Sequence, residues 1–206
     1  MRLYYANNSP FARKVRVLLA ERGTPHEAVV VNLDRPGDDF VKANPNLKVP
    51  TLVDGDLALF ESNVIIDYLL QAPGGKPAGE MPALAGKLTR PDHHWQDLLM
   101  LTTIELLLDS ASIAYHYQRE GIQPEQSLSL RRELTRMESE LNWIEAHITP
   151  EGYIPGTFSI QDMNLVVTLL WMDFRKPAPW RGRPNLEAVV RRYEGRSSFQ
   201  TTKPGP

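Results

Sequence analysis

The hydrophobic positions of the first seventy residues alternate between two periods, while the rest of the chain keeps one. Leu3-Tyr4-Tyr5 is a short run of strand formers that stops at the turn residues Asn7-Asn8. Phe11, Val15, Leu18 and Leu19 then recur at helical spacing, with Arg13, Lys14 and Arg16 between them. Gly23 closes that helix and Pro25 follows it. Residues 27–31 predict a strand and 38–43 a short helix. The apolar runs 51–53 and 57–59, joined through Asp54-Gly55-Asp56, predict a hairpin. A helix opens at Ser62, with Ile65, Ile66, Leu69 and Leu70 as its buried side. The predicted order is β-α-β-α-β-β-α.

The pattern changes over residues 72–91, which hold Pro73, Pro77, Pro82 and Pro91 with Gly74, Gly75, Gly79 and Gly86, a linker composition. From Asp92 onward only helical spacing appears. Trp95, Leu98, Leu99, Thr102, Leu106 and Ile113 line one side of a long first helix. Leu130, Leu134, Met137, Leu141, Ile144 and Ile148 line a second; Leu165, Leu169 and Met172 fall on a third, and Leu186, Val189, Val190 and Tyr193 on a fourth. The expected organisation is an α/β domain over residues 1–75, a linker over 76–91 and an all-α domain over 92–206.

Composition narrows the function. The chain is 42% hydrophobic with a formal net charge of −2, so a core is affordable and no basic field exists to gather nucleic acid. It contains no cysteine, which removes disulfides, zinc-thiolate sites and a cysteine nucleophile; any thiol chemistry must use a thiol brought by the substrate. The apolar run 165–172 is too short to span a bilayer, and the first residues lack the apolar core of a signal peptide, so a cytoplasmic protein without membrane partners is expected. His93-His94 point in different directions on a helix and have no evident third ligand, so no metal is expected.

Four local features carry candidate chemistry. Ser9-Pro10 sits at the first strand-to-helix turn, where Ser9 is an N-cap whose hydroxyl stands at the positive end of a helix. A thiolate there would meet the hydroxyl, backbone N–H groups and the helix dipole, the factors that lower thiol pKa. Val49-Pro50, ahead of the hairpin, is a candidate cis bond, and an outward-facing Val49 backbone could pair with an extended peptide. Glu61-Ser62 starts the third helix; Ser62 as its cap offers an anion site and Glu61 a partner for an ammonium, which together suit an α-amino acid head group. Ser159-Ile160-Gln161-Asp162 has the spacing of a capping box and is read as structural. Taken singly, each of the first three is also what an ordinary capped helix or an X-Pro turn displays.

Together they have a recognisable order. Ser9-Pro10-Phe11-Ala12-Arg13-Lys14-Val15-Arg16, Asn44-Pro45-Asn46-Leu47-Lys48-Val49-Pro50-Thr51-Leu52 and Glu61-Ser62-Asn63-Val64-Ile65-Ile66-Asp67-Tyr68-Leu69 resemble the motifs of the cytosolic glutathione S-transferases, bacterial and serine-type. Phe158-Ser159-Ile160-Gln161-Asp162, Asp173-Phe174-Arg175 and Arg196-Ser197-Ser198-Phe199-Gln200-Thr201-Thr202-Lys203-Pro204 extend the resemblance to nearly the whole chain. Leu47 stands where the family has glycine, which predicts a differently shaped loop, and Ser197 where proline is more usual. The resemblance implies a thioredoxin-like N-terminal domain that binds glutathione, an all-helical C-terminal domain and a homodimer. It implies that Glu61 and Ser62 hold the γ-glutamyl end, that Val49 pairs with the cysteinyl backbone, and that Lys48 lies near the peptide or its glycyl carboxylate. Ser9 becomes the group that bonds the sulfur, with Tyr5 and Asn7 as rivals. Phe11 is a further glutathione-binding residue and also floors an electrophile pocket between the domains, to which Ile113, Tyr115 and His116 contribute. The implied activity is transfer of glutathione to a hydrophobic electrophile, in detoxification; the alternatives are a non-catalytic interaction protein or a glutathione-dependent peroxidase, isomerase or dehalogenase.

Overall fold

The computed structural model describes residues 1–71 and 88–205. Most of the expected linker therefore lies outside the described residues. At its far end Pro91 already opens a short 3-10 turn, Pro91–His93. Two compact units result: the described residues of Met1–Leu88 together with Arg196–Pro206, and Thr89–Gly195.

In the first unit β1 (Arg2–Tyr5), β2 (Glu27–Val30), β3 (Thr51–Asp54) and β4 (Leu57–Phe60) form one mixed sheet in the order β2-β1-β3-β4. β1 and β2 are parallel, β3 runs antiparallel to β1, and β4 antiparallel to β3. Helices α1 (Pro10–Arg22), α2 (Asp38–Ala43) and α3 (Ser62–Gln71) alternate with the strands in the order the sequence predicts. Leu3 lies opposite Leu52, which lies opposite Leu59, so these side chains share a face. Leu3, Leu52, Val15, Leu18, Ile65 and Ile66 are completely buried, where α1 and α3 pack together. Tyr4 packs on Phe40 of α2, ring centroids 5.7 Å apart. α1 ends as predicted, with Gly23 at φ 58°, a left-handed position that glycine takes at little cost.

The second unit contains α4 (His94–Arg119), α5 (Leu128–His147), α6 (Ile160–Arg175) and α7 (Pro184–Tyr193). α6 is its central helix: residues 160–169 are all buried. The capping box forms as expected: the Ser159 hydroxyl accepts from the Asp162 N–H at 3.0 Å, and the Asp162 carboxylate accepts from the Ser159 N–H at 3.0 Å. A second buried carboxylate, Asp97, takes the Arg90 side chain and backbone N–H and the Tyr153 hydroxyl at 3.0 Å. Burial drives Asp97 up, but these donors outweigh it and hold the carboxyl below its ordinary range.

Two expectations are corrected here. The buried stripe of α4 is Met100, Leu101, Ile104, Leu107, Leu108, Ala111 and Ala114, whereas Trp95, Leu98, Leu99, Leu106 and Ile113 are exposed. The helix is apolar on both sides, so spacing alone fits either stripe. For the same reason residues 91–119 are long and apolar enough to cross a membrane by length and composition, which the sequence reading did not anticipate, although 44% of the apolar window is buried. The last helix, α8 (Ser197–Thr201), packs on α1 and not with the helical unit in which residues 92–206 were expected. Arg196 and the Ser198 hydroxyl both engage Glu21, and Arg13 donates to the Phe199 carbonyl at 3.1 Å.

Candidate functional site

The sheet register decides which loops meet. Tyr4 lies opposite Thr51, and Thr51 opposite Phe60. The chain therefore leaves β1 toward Ser9, enters β3 from Val49-Pro50 and leaves β4 toward Glu61, all at one end of the sheet. Neighbouring strands lie about 4.8 Å apart, so the β4 exit is about 10 Å from the β1 exit. Three residues of extended chain span about that distance.

At the β1 exit, Ser9 has extended backbone (φ −78°, ψ 119°) and its Oγ accepts from the Ala12 N–H at 3.2 Å. The N-cap expectation is met. Arg13 N–H is taken by the Ser9 carbonyl, and Pro10 has no N–H. Among the described residues the Phe11 N–H and the hydroxyl hydrogen of Ser9 remain unused, both at the positive end of a 13-residue helix. Phe11 is half-buried, with the Lys14 ammonium 5.4 Å from its ring. Asn7 is exposed, and the Tyr5 ring lies against the Arg16 guanidinium.

Before β3, the Val49-Pro50 bond is cis, as the sequence suggested. Buried Asn44 organises this loop: its Nδ2 donates to the Lys48 carbonyl at 2.7 Å and to the Thr51 hydroxyl at 2.8 Å, while its Oδ1 accepts from Asn46 N–H at 2.8 Å. In the sequence Asn44 is signalled only by its place in the motif and its asparagine-proline start. The Lys48 side chain is exposed. Among the described residues neither the N–H nor the C=O of Val49 has a hydrogen-bond partner. Leu47 takes φ 52°, the left-handed region that a glycine enters freely, so the side chain is carried by a strained backbone.

After β4, Glu61 also has a left-handed backbone, φ 71°. Its carbonyl accepts the Ile65 N–H at 3.0 Å, so helical bonding begins one residue before Ser62. Ser62 is thus the first residue inside α3 and not its cap. Its hydroxyl, in a residue only 3% exposed, has no partner among the described residues, and the exposed Glu61 carboxylate makes no ion pair there either. Backbone strain of this kind, worth about 1–3 kcal/mol, is characteristic of binding sites. Uncommitted donors at a ten-residue helix N-terminus beside a free carboxylate suit a zwitterionic head group.

The remaining predicted residues belong to the second unit. Ile113 and His116 are exposed on one face of α4, while Tyr115 turns onto Trp171 of α6, centroids 5.7 Å apart, with Arg175 4.9 Å from its ring. A cavity of about 400 Å³ in that unit is lined by Arg90, His93, Leu99, Met100, Trp143 and Tyr153, with none of the predicted site residues. Among the described residues no group of three or more His, Cys, Asp or Glu side chains is arranged to hold a metal ion.

Residues 3–77 match the glutathione S-transferase N-terminal domain family. Over 214 residues the chain is 27% identical to glutathione S-transferase 3 of Zea mays, covering 98% of this chain and 92% of that protein. It is 36% identical over 104 residues to a stringent starvation protein A homolog of Haemophilus ducreyi, spanning 48% of this chain and about half, 49%, of that relative. In structure it is similar to a glutathione S-transferase of Methylobacterium radiotolerans solved in complex with glutathione sulfonate, with a TM-score of 0.79, 25% identity and coverage of 100% and 95% of the two chains. The mixed four-stranded sheet, the three loops gathered at one end of it and these similarities lead to one assignment: residues 3–77 form a domain of the glutathione S-transferase N-terminal family, in a chain whose whole fold is that of the glutathione S-transferases.

Proposed function

We propose that this protein binds glutathione across the Ser9, Val49 and Glu61-Ser62 end of its sheet and transfers it, as the thiolate, to a hydrophobic electrophile. The observation that carries the reading is the set of polar groups at that one end without a partner among the described residues: the Ser9 hydroxyl hydrogen, both backbone groups of Val49, the Ser62 hydroxyl and the Glu61 carboxylate. Glutathione presents their complements in the same order. Its γ-glutamyl ammonium meets Glu61, and its γ-glutamyl carboxylate meets the Ser62 hydroxyl and the α3 N–H groups. Its cysteinyl C=O and N–H pair with Val49 as an added strand would, and Lys48 lies toward the glycyl carboxylate. The sulfur then receives the Ser9 hydroxyl and the Phe11 N–H at the start of α1. These interactions favour thiolate over thiol and leave the sulfur's electron pair for attack at carbon. The exposed stripe Trp95, Leu98, Leu99 and Leu106 on α4 supports a homodimer, and a cytoplasmic location fits a chain without cysteine.

Ser9→Ala tests the assignment. A hydrogen bond to a charged group contributes about 1.5–3 kcal/mol, so the thiol pKa of bound glutathione should rise by about one to two units. The rate with a chloroaromatic electrophile at neutral pH should fall about 10- to 100-fold, with little change in glutathione affinity. Unchanged turnover would transfer the role to Tyr5, Asn7 or the backbone. A second reading, an interaction module without turnover, is favoured by the likeness to a stringent starvation protein, whose name states a response and no reaction. Calorimetry separates the two: absence of glutathione binding at millimolar ligand supports the module.

A further inference from the structure

α1 carries a pair of positive charges, Arg13 and Arg16, that no carboxylate among the described residues answers. Arg13 is 3% exposed and, among the described residues, donates only to the Phe199 carbonyl; its Nε is buried without a partner there. Arg16 makes no hydrogen bond among the described residues, and its Nη1 is buried without a partner. Its guanidinium lies 4.6 Å from the centre of the Tyr5 ring, a cation–π contact. Burial, with the neighbouring Arg16 charge, pushes Arg13 down to about 10, so it remains charged at neutral pH. Burial lowers Arg16 as well, against a smaller opposing pull from Tyr5. A buried cation without an anionic partner is costly, and the half-buried Arg16 adds a second charge on the same helix.

Helical geometry places Arg16 with respect to Ser9. Seven residues turn an α-helix by about 700°, some 20° short of two full turns, so Arg16 lies on the same face as Ser9 and about 10 Å below it. Helical side chains lean toward the N-terminus, which brings the guanidinium back toward Ser9. Tyr5, the residue that holds it, ends β1 at the strand exit leading to Ser9. We propose that Arg16, held on Tyr5 two turns beneath Ser9, supplies the positive field that keeps the sulfur of bound glutathione ionised. It acts as a positioning charge, through the field at Ser9 and not by contact with the sulfur. The sulfur's negative charge is in turn the anion that the Arg13–Arg16 pair lacks.

The inference rests on the proposed glutathione site, and the experiment keeps the two apart. The thiolate of bound glutathione is titrated by its ultraviolet absorbance in the wild type, Arg16→Gln, Arg16→Met, Arg16→Lys and Tyr5→Phe, with the affinity of S-methylglutathione measured in each. At about 8–10 Å and an effective dielectric near 20, one charge shifts a thiol by about one unit. Arg16→Gln should therefore raise the pKa by about one unit and leave S-methylglutathione affinity within about two-fold, and Arg16→Lys should recover most of the shift. If Arg16→Gln fails to fold, Arg16→Met, which keeps the apolar stem, gives the same reading. An unchanged pKa in the neutral variant, a parallel loss of S-methylglutathione affinity, or an equal rise in Tyr5→Phe overturns the assignment to Arg16. A wild type that binds neither compound overturns the glutathione site itself.

Discussion

The Asp162 carboxylate is the point at which the helical unit should be most vulnerable to a single substitution. It has no exposure and accepts three hydrogen bonds: from the Tyr153 N–H at 2.8 Å, the Ser159 N–H at 3.0 Å and the Ser159 hydroxyl at 2.6 Å. Asp162→Ala removes all three. The hydroxyl can turn and still cap the helix through its bond from residue 162 N–H, but the two backbone donors cannot leave. Each buried donor without a partner costs about 1–3 kcal/mol, for a gross loss of about 2–6 kcal/mol. Burial of the carboxylate opposes this: it pushes Asp162 up despite the donors, so part of the loss is returned when the charge is deleted. The expected net destabilisation is about 2–4 kcal/mol, which for a chain of this length lowers Tm by about 4–16 °C. Gly152→Ala reaches the same carboxylate from the other side. A Cβ there would lie 2.9 Å from Asp162 Oδ1, and Gly152 has φ 117°, a conformation that side chains disfavour. Urea unfolding of both variants, followed by far-ultraviolet circular dichroism, measures the effect. A loss below about 1 kcal/mol in Asp162→Ala would refute the claim that this carboxylate anchors the start of α6.

Two further perturbations follow from strain and from charge. Leu47→Gly should stabilise the protein by about 0.5–1 kcal/mol, because relief of a left-handed leucine, about 1–2 kcal/mol, exceeds the added chain entropy of glycine, about 0.4–1 kcal/mol; a lower thermal midpoint would contradict this. Glu140 has a buried, unpartnered oxygen, and burial, with Glu133 and Asp109 nearby and Arg136 opposing, pushes its carboxyl from 4.5 to about 7. A raised folded-state pKa contributes stability below the unfolded value that is lost as pH rises through the folded one. Glu140→Gln should thus gain on the wild type between pH 4.5 and 7, by about 1 kcal/mol above that window once solvent screening of a partly exposed group is allowed for. Denaturation midpoints at pH 5 and 8 that shift equally in both proteins would count against it.

Local chemistry was legible in the sequence because it is local. Ser9 caps α1, Gly23 ends it, Ser159 and Asp162 form their box, and the hairpin turns at Gly55, since each depends on residues within a few positions of one another. The alternation of two periods established a mixed domain ahead of a helical one for the same reason, and the motifs indicated the family. Tertiary structure decided what depends on partners distant in sequence. α4 is apolar on both sides, and only the packing of α5 and α6 selects Met100, Ile104, Leu107 and Ala111 as its buried stripe. α8 returns to α1 because Glu21 and Arg13, 175 and 186 residues away, supply the bonds. The left-handed backbone of Glu61, the displacement of Ser62 from cap to first turn, and the contact of Arg16 with Tyr5 leave no trace in composition or spacing. The meeting of the three loops arises from strand register, which brings β1, β3 and β4 to a common end, and register is a long-range property.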